Sequence, residues 1–568
     1  MSDAGHVWPA YRRAVRAAWS DAGGDDEARA AVVASVTDLG CPGAWPSTGR
    51  RVAVATPPAA LLGPDLPGLV LEALLDPSDR RRAGRHHTPA AIADGIVALA
   101  GDAAGCTAVC DPAVGGGAFL LAFVRAASAA GVDAAEAVAR CWGCDLDPLA
   151  VEVTRAALRW AGGRVVGEGP VEEQVVVADG LDPGRWRASF DLVIGNPPFQ
   201  GQLGRVTARS AVDRDRAARA LDRPASGYVD TAGLFLVTAC ELARPGGTVA
   251  LLQPEGLLSA RDAAPVRERV QAAGRLRAAW VAGERVFEAA IRVWAPVVDV
   301  GASPNGTVEV RAGAGFDRVG EAVLDEASWA ALLAPVHRTP AALVRSDRRL
   351  GDVATATAGF RDQFYGLVPF VGDGPGGAPL VTSGAIDPLS CSWGERPIRF
   401  ARRDWTRPVV ALDRLAVGDP ALHRWVADRL VPKVLVATQT KVVEAVADPE
   451  GTLVPSVPVV AVTPDPAEVW AVTAALSAPP VAAWALRQAA GAALAADAVK
   501  LSAKQILEAP LPVDDRLWAE IASRLATGDL PAPEFATLMT RAYGLAADDP
   551  VVAWWLSRLR SWCGRSHG

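Results

Sequence analysis

The segment DLVIGNPPFQG, residues 191–201, sends an apolar run straight into Asn196, Pro197, Pro198 and Phe199. Two consecutive prolines fix the backbone and remove two N–H donors. What remains is rich in acceptors: the Asn196 side-chain oxygen and the Pro197 carbonyl, with the Phe199 ring beside them. That set suits a planar base carrying an exocyclic amine. Taken alone, Asn-Pro-Pro is equally a rigid loop and Phe199 equally a core residue, so the segments before it decide.

Three such segments precede it. DPAVGGGAFLLAF, residues 111–123, follows a short apolar run and opens a helical pattern. Gly115 and Gly117 let the backbone turn tightly and approach a ligand, and a helix N-terminus then faces that ligand. The spacing is not that of the dinucleotide fingerprint. GCDLDPLAV begins at Gly143, and Asp145 stands at a strand end, where a carboxylate accepts from ribose hydroxyls. Asp147 with Pro148 starts the next helix, as a cap and a first-turn proline. In VVVADGL, Asp179 stands at the end of the third strand, placed to accept from an adenine amino group. Either aspartate by itself is a turn or cap residue.

These segments need a frame to hold them. Short apolar runs at 108–110, 138–144, 175–178, 192–194, 248–252, 278–281 and 293–300 alternate with helical patterns at 117–130, 149–161, 231–243 and 260–273. That alternation predicts an α/β fold with a mostly parallel, doubly wound sheet. Residues 1–78 read as helices with Pro and Gly breaks. Residues 345–568 read as Gly/Pro-rich loops, scattered strands and helices near 466–496 and 514–527.

Together the segments resemble the S-adenosylmethionine-dependent adenine-N6 methyltransferases of DNA with the γ motif order. The chain carries His87-Thr88-Pro89, then Asp111–Leu120, Asp145, Asp179 and Asn196–Phe199 in that family's order. Several spaced motifs in register are far more specific than any one of them. Val114 and Phe199 stand where the family often has Cys and Tyr. The resemblance covers about 80–300, and more loosely 345–515, through LVPKVLVATQT and LSAKQILEAPLP.

The resemblance implies a Rossmann-like methyltransferase domain over 79–302, a connection over 303–344 and a target-recognition α+β domain over 345–568. It implies S-adenosylmethionine held by Thr88, Asp111, Ala113, Gly115, Gly117, Phe119, Asp145, Asp179 and Asn196. It implies catalysis by Asn196, Pro197, Pro198 and Phe199, with Phe199 and Phe287 against a flipped base. The partners implied are double-stranded DNA and a separate restriction endonuclease or defence-system subunit. An RNA or protein-glutamine methyltransferase and a non-catalytic DNA specificity subunit are the competing readings. Cytosine-N4 enzymes usually lead the last motif with Ser.

Composition narrows the classes. The 568 residues carry 57 Lys and Arg against 64 Asp and Glu, a net charge of −7, so a nucleic-acid contact must be local. The only lysines are Lys433, Lys441, Lys500 and Lys504, and no Gly-Lys-Ser/Thr occurs, which excludes a P-loop motor. Candidate DNA contacts are Arg205 and Arg209 after the Asn-Pro-Pro-Phe loop, Arg399, Arg402 and Arg403 among aromatics, and Lys433 and Lys441. Cys141 and Cys144 have ligand spacing, but free Cys on a strand is commonly buried, and no metal is expected. No membrane span or apolar leader is read, and a cytoplasmic location is expected.

Overall fold

The computed structural model describes residues 3–47, 49–75, 88–167, 169–199, 221, 230–283, 286, 291–324, 328–341, 344, 346–359, 361–438, 440–489 and 500–563. The chain divides into two units, 1–332 and 333–568.

In the first unit the predicted apolar runs become strands β1 (Val109–Asp111), β2 (Cys141–Asp145), β3 (Val175–Val177), β4 (Phe190–Gly195) and β5 (Ala243–Leu251). Beyond them lie β6 (Gln253–Pro254), β7 (Gly274–Val281), β8 (Val293–Val300), β9 (Val308–Ala312) and β10 (Asp317–Ala322). They form one ten-stranded sheet in the order β10-β9-β7-β8-β5-β4-β1-β2-β3, with β6 on β8. β1 to β5 are mutually parallel. The far side is mixed: β8 runs antiparallel between β5 and β7, with Val298 facing both Val249 and Leu276. The connection from Val281 to Val293 is too short for a parallel crossover, which takes about a dozen residues or more.

Three helices, α1 (Asp3–Asp21), α2 (Asp26–Gly40) and α3 (Leu66–Leu74), precede the sheet. Helices α4 (Ala90–Ala100), α5 (Ala118–Ala129), α6 (Ala134–Ala139), α7 (Pro148–Ala161), α8 (Val171–Gln174), α9 (Thr231–Leu242) and α10 (Ala264–Ala273) accompany the strands. Asp147 caps α7 as expected, accepting from the Leu149 amide at 3.0 Å, with Pro148 in the first turn. The first three helices share a core with α7: Tyr11, Val32, Leu66 and Val70 pack with Ala150, Val153 and Ala156. Gly68 of α3 lies against the glycine loop, where a Cβ would stand 2.6 Å from the Gly116 carbonyl oxygen.

The strand order reverses at β1, which has β2 on one side and β4 on the other. At such a reversal the flanking helices lie on opposite faces, and a crevice opens beyond the strands' carboxyl ends. Asp111 ends β1 and Gly195 ends β4 there.

The second unit holds two four-stranded sheets. One has the order β11 (Ala354–Ala358), β22 (Val460–Pro464), β19 (Lys433–Ala437), β20 (Glu444–Asp448). The other is β12 (Val371–Asp373), β18 (Pro408–Val410), β13 (Ala378–Val381), β21 (Val454–Pro455). Two small hairpins, β14–β15 (Ile386–Asp387, Ser390–Cys391) and β16–β17 (Ile398–Phe400, Arg403–Trp405), complete the strands. The turn of β16–β17, Ala401 and Arg402, has φ of +50° and +65°, a conformation costing about 1–2 kcal/mol for each non-glycine residue. The helix expected near 466–496 is broken into Val469–Ser477 and Pro479–Ala489, because Pro479 and Pro480 cannot continue the first. Among the described residues no single helix is long and apolar enough to cross a membrane.

Candidate active site

The loop after β1 is built on one buried carboxyl. Asp111 is 1% exposed, and its Oδ1 accepts from the Ala113 amide at 2.9 Å. Burial pushes the Asp111 carboxyl up to about 7; the Ala113 amide opposes the shift and the charge of Asp145 adds to it. Gly195 passes directly above, so close that a Cβ would come within 2.5 Å of Asp111 Oδ1. The ends of β1 and β4 therefore meet only because residue 195 has no side chain.

Gly115 and Gly117 take φ of +50° and +84°, as the turn reading requires. The Gly115 amide donates to Asp145 Oδ2 at 3.1 Å, and its carbonyl accepts from Thr154 Oγ1 at 3.0 Å. Asp145 Oδ1 accepts from the Asp147 amide at 2.9 Å. The glycine loop and the acid of β2, 30 residues apart in sequence, are thus bonded to one another. Asp179 follows β3; the Ala178 amide reaches the Asp145 carbonyl at 3.1 Å, and Asp179 Oδ1 accepts from Leu181. Two large apolar side chains stand out beside these acids: Leu146 is 59% exposed and Val177 54%.

Thr88 and Asn196 come together at the other side of the crevice. Asn196 Nδ2 donates to Thr88 Oγ1 at 3.0 Å, and Thr88 is buried just before α4. This contact orients the amide with its nitrogen toward Thr88. Pro197 is buried, Pro198 half-buried and Phe199 5% exposed within the core of the sheet. Phe119, expected around the cofactor, is 2% exposed in that core too: it faces the sheet because α5 buries its apolar stripe there.

Some expected residues fall elsewhere. His87, Arg205, Arg209 and Phe287 lie outside the described residues. Arg399, Arg402 and Arg403 are exposed in the second unit. Lys433 is a correction. It is fully buried and pairs with Asp448, because β19 is covered on both faces, so its charge serves the core and not a phosphate. Lys441 is half-buried, and its carbonyl accepts from Arg558 at 3.0 Å. Cys106, Cys110, Cys141 and Cys144 are buried with thiols pushed up by burial, Cys106 to about 12, which disfavours a metal-binding thiolate. Among the described residues no group of His, Cys, Asp and Glu could hold a metal ion.

Sequence reasoning missed Gly68, Gly180 and Gly195. A Cβ on Gly180 would stand 1.9 Å from the Pro112 carbonyl oxygen, so residue 180 closes the loop after β3 onto the loop after β1. Nothing but their being glycine marks them in the sequence. Gln253 was missed as well: it is fully buried beside Trp294 in register, and neither amide atom has a hydrogen-bond partner among the described residues.

Residues 64–289 match the family model described as N-6 DNA Methylase. This segment is therefore similar to the N-6 DNA methylases. The match begins at residue 64 and so takes in α3, ahead of the part read as similar from the motifs. No curated protein matches the chain. The type IIL restriction-modification enzyme MmeI, solved in complex with DNA, is similar at 11% identity and a TM-score of 0.58, over 91% of this chain and 86% of that one. The type IIG restriction endonuclease BpuSI is 13% identical with a TM-score of 0.43, over 88% and 68%. A type I restriction-modification methyltransferase subunit from Streptococcus thermophilus is 19% identical with a TM-score of 0.34, over 48% and 58%. The likeness to the type IIL enzyme is one of fold: the sheet of the first unit is Rossmann-like.

Proposed function

We propose that the chain is a site-specific DNA methyltransferase that moves a methyl group from S-adenosylmethionine to N6 of an adenine turned out of the duplex. The observation that carries this reading is the Asn196–Thr88 hydrogen bond, set at the sheet's switch point and one strand away from the Gly115–Asp145 contact.

The residues fit an adenosyl sulfonium. A Cβ on Gly115 would meet nothing nearer than the Ala113 carbonyl oxygen, at 3.9 Å. Asp145, held by the Gly115 and Asp147 amides, stands at the strand end where a carboxylate accepts from ribose hydroxyls. Leu146 and Val177 offer apolar surface to a purine, and Asp179 an acceptor to its amine. Asp145 and Asp179 make the surroundings favourable to a cation. When bound, the sulfonium supplies an electrophilic methyl group.

The chain's own residues prepare the acceptor. Adenine N6 is a poor nucleophile because its lone pair is delocalised into the ring. Asn196 Oδ1 and the Pro197 carbonyl accept from N6–H and favour a more tetrahedral nitrogen as the carbon–nitrogen bond forms and the carbon–sulfur bond breaks. Both acceptors are fixed beforehand, one by Thr88 and one by the proline ring, so they act by preorganisation. Neither is a strong base, and the departing N6 proton passes to water. Extruding the base costs about a few kcal/mol, offset by stacking worth about 1–3 kcal/mol. Phe199 supplies that ring, which must be uncovered as the base enters.

DNA as partner is supported by the methylase-family match and by the exposed arginines of the second unit, which would read the target. The methylation would protect DNA from a separate endonuclease or defence subunit in the cytoplasm. The test is transfer of labelled methyl groups to unmethylated genomic DNA, with Asn196→Ala alongside and single-molecule sequencing to find the product. N6-methyladenine in one short motif, lost in the variant, is expected. Cofactor binding without transfer to DNA would overturn the reading in favour of RNA or protein substrates.

A further inference from the structure

The β16–β17 hairpin sets a face packed on the core, through Phe400, Ala401 and Trp405, against a charged one. Its turn residues, Ala401 and Arg402, both hold positive φ, yet such two-residue turns favour Gly, Asn and Asp. Ile398 pairs with Trp405 and Phe400 with Arg403, while Arg399 faces Asp404. Cross-strand partners share a face. One face therefore holds Ile398 and Phe400, 1% and 2% exposed, and the other holds Arg399 and Asp404 in solvent.

The hairpin is anchored beside its turn and along its flank. The Phe400 ring lies 4.9 Å from that of Phe364. The Arg403 guanidinium sits 5.1 Å over Trp405, and Arg407 sits 5.0 Å over Trp393. Stacking holds a guanidinium in place without using its N–H donors. From Glu395 to Arg407 the chain places five arginines against two acids, in a protein of net charge −7. Arg396 is drawn off by Asp387 at 3.0 Å; Arg399, Arg402, Arg403 and Arg407 stay exposed. A strained turn persists only where its surroundings hold it, and such turns cluster at binding elements.

We infer that this hairpin is a ribbon that enters the major groove of duplex DNA, with Arg402 on a guanine edge and Arg399 on a phosphate. The inference rests on DNA being the substrate. A two-stranded ribbon fits the B-form major groove, and the arginine fork matches guanine O6 and N7. The deep, narrow major groove of duplex RNA does not admit one.

The decisive variant is Arg402→Gly. Glycine accepts positive φ, so the turn is kept and the melting temperature is unchanged or higher, which excludes misfolding as a cause. The probes are duplexes bearing the motif modified by the wild type, each guanine replaced in turn by 7-deazaguanine, which lacks the N7 acceptor. One replacement is expected to lower wild-type methyl transfer about ten- to a hundredfold, and Arg402→Gly to show the same loss while becoming indifferent to that replacement. Arg399→Ala is expected to weaken all duplexes alike and to reduce the salt dependence by about one phosphate contact. Arg402→Gly with unchanged selectivity, or with equal loss on every duplex, overturns the ribbon and leaves the methyltransferase standing. No wild-type transfer to DNA overturns both.

Discussion

The amide nitrogen of Asn196 donates to the hydroxyl of Thr88 across 3.0 Å, joining the loop after β4 to the start of α4 over 108 residues of chain. An asparagine amide can present either its nitrogen or its oxygen to a ligand. Here the nitrogen lies on the Thr88 hydroxyl, which turns the amide oxygen away from Thr88.

Replacing Thr88 by Val removes that partner while keeping the shape. The bond contributes about 1 kcal/mol, which corresponds to about a fivefold slower chemical step. Single-turnover methyl transfer is the measurement. Thr88→Ser is expected to restore the rate, and the KM for DNA to move less than the rate constant.

Gly68 belongs to none of the motifs, yet its α-carbon rests on the Gly116 backbone. A Cβ there forces α3 and the glycine loop apart, at a cost of about 1–3 kcal/mol for overpacking. Gly68→Ala is expected to weaken S-adenosylmethionine binding about tenfold or more by calorimetry, without changing any group near the ligand.

Lys433 and Asp448 form a buried pair, and Asp448 also accepts from the Thr452 and Leu453 amides, each at 3.0 Å. Lys433→Met leaves that carboxylate uncompensated and is expected to cost about 3–5 kcal/mol in denaturant unfolding. Adding Asp448→Asn recovers part of the loss. DNA affinity of the folded single variant stays that of the wild type, which a phosphate-contacting lysine would not allow.

Glu444 of β20 is buried, and burial pushes its carboxyl up from 4.5 to about 8, with Asp387 adding and Arg396 opposing. The folded protein therefore holds a proton that the unfolded chain releases near 4.5. Stability from this group is full below that pH and is lost as pH rises through about 8. Glu444→Gln is expected to flatten the fall in melting temperature over this window, with little change at pH 4.5.

Much of the first unit was legible because its signals are local. Asp147-Pro148 is a cap and a first-turn proline, and it caps α7. β1 to β5 are short apolar runs separated by helical patterns, and their order is that of a wound sheet. Less legible were residues whose role depends on what a distant backbone does. Gly180 and Gly195 matter because Pro112 and Asp111 pass within a bond length or two of where a Cβ would stand. Lys433 looked like a surface cation because charge is what the sequence displays. Its partner, Asp448, lies across a strand pair whose register no local pattern reveals. The break at Pro479 was written in the sequence, and the helical periodicity on both sides masked it.

The strand order has a consequence for a chain made from one end. β1 is synthesised early, and β2 can cover one of its edges soon after; its other edge waits for β4. During that interval an apolar strand edge stands open, the kind of surface that recruits other chains. The closing strand brings its own fastening: Asp191 accepts from the Thr107 and Ala108 amides at 2.6 and 3.1 Å, just ahead of β1. The nascent first unit thus acquires its switch-point crevice and seals an open strand edge in one event. A fragment ending before Phe190 would have neither.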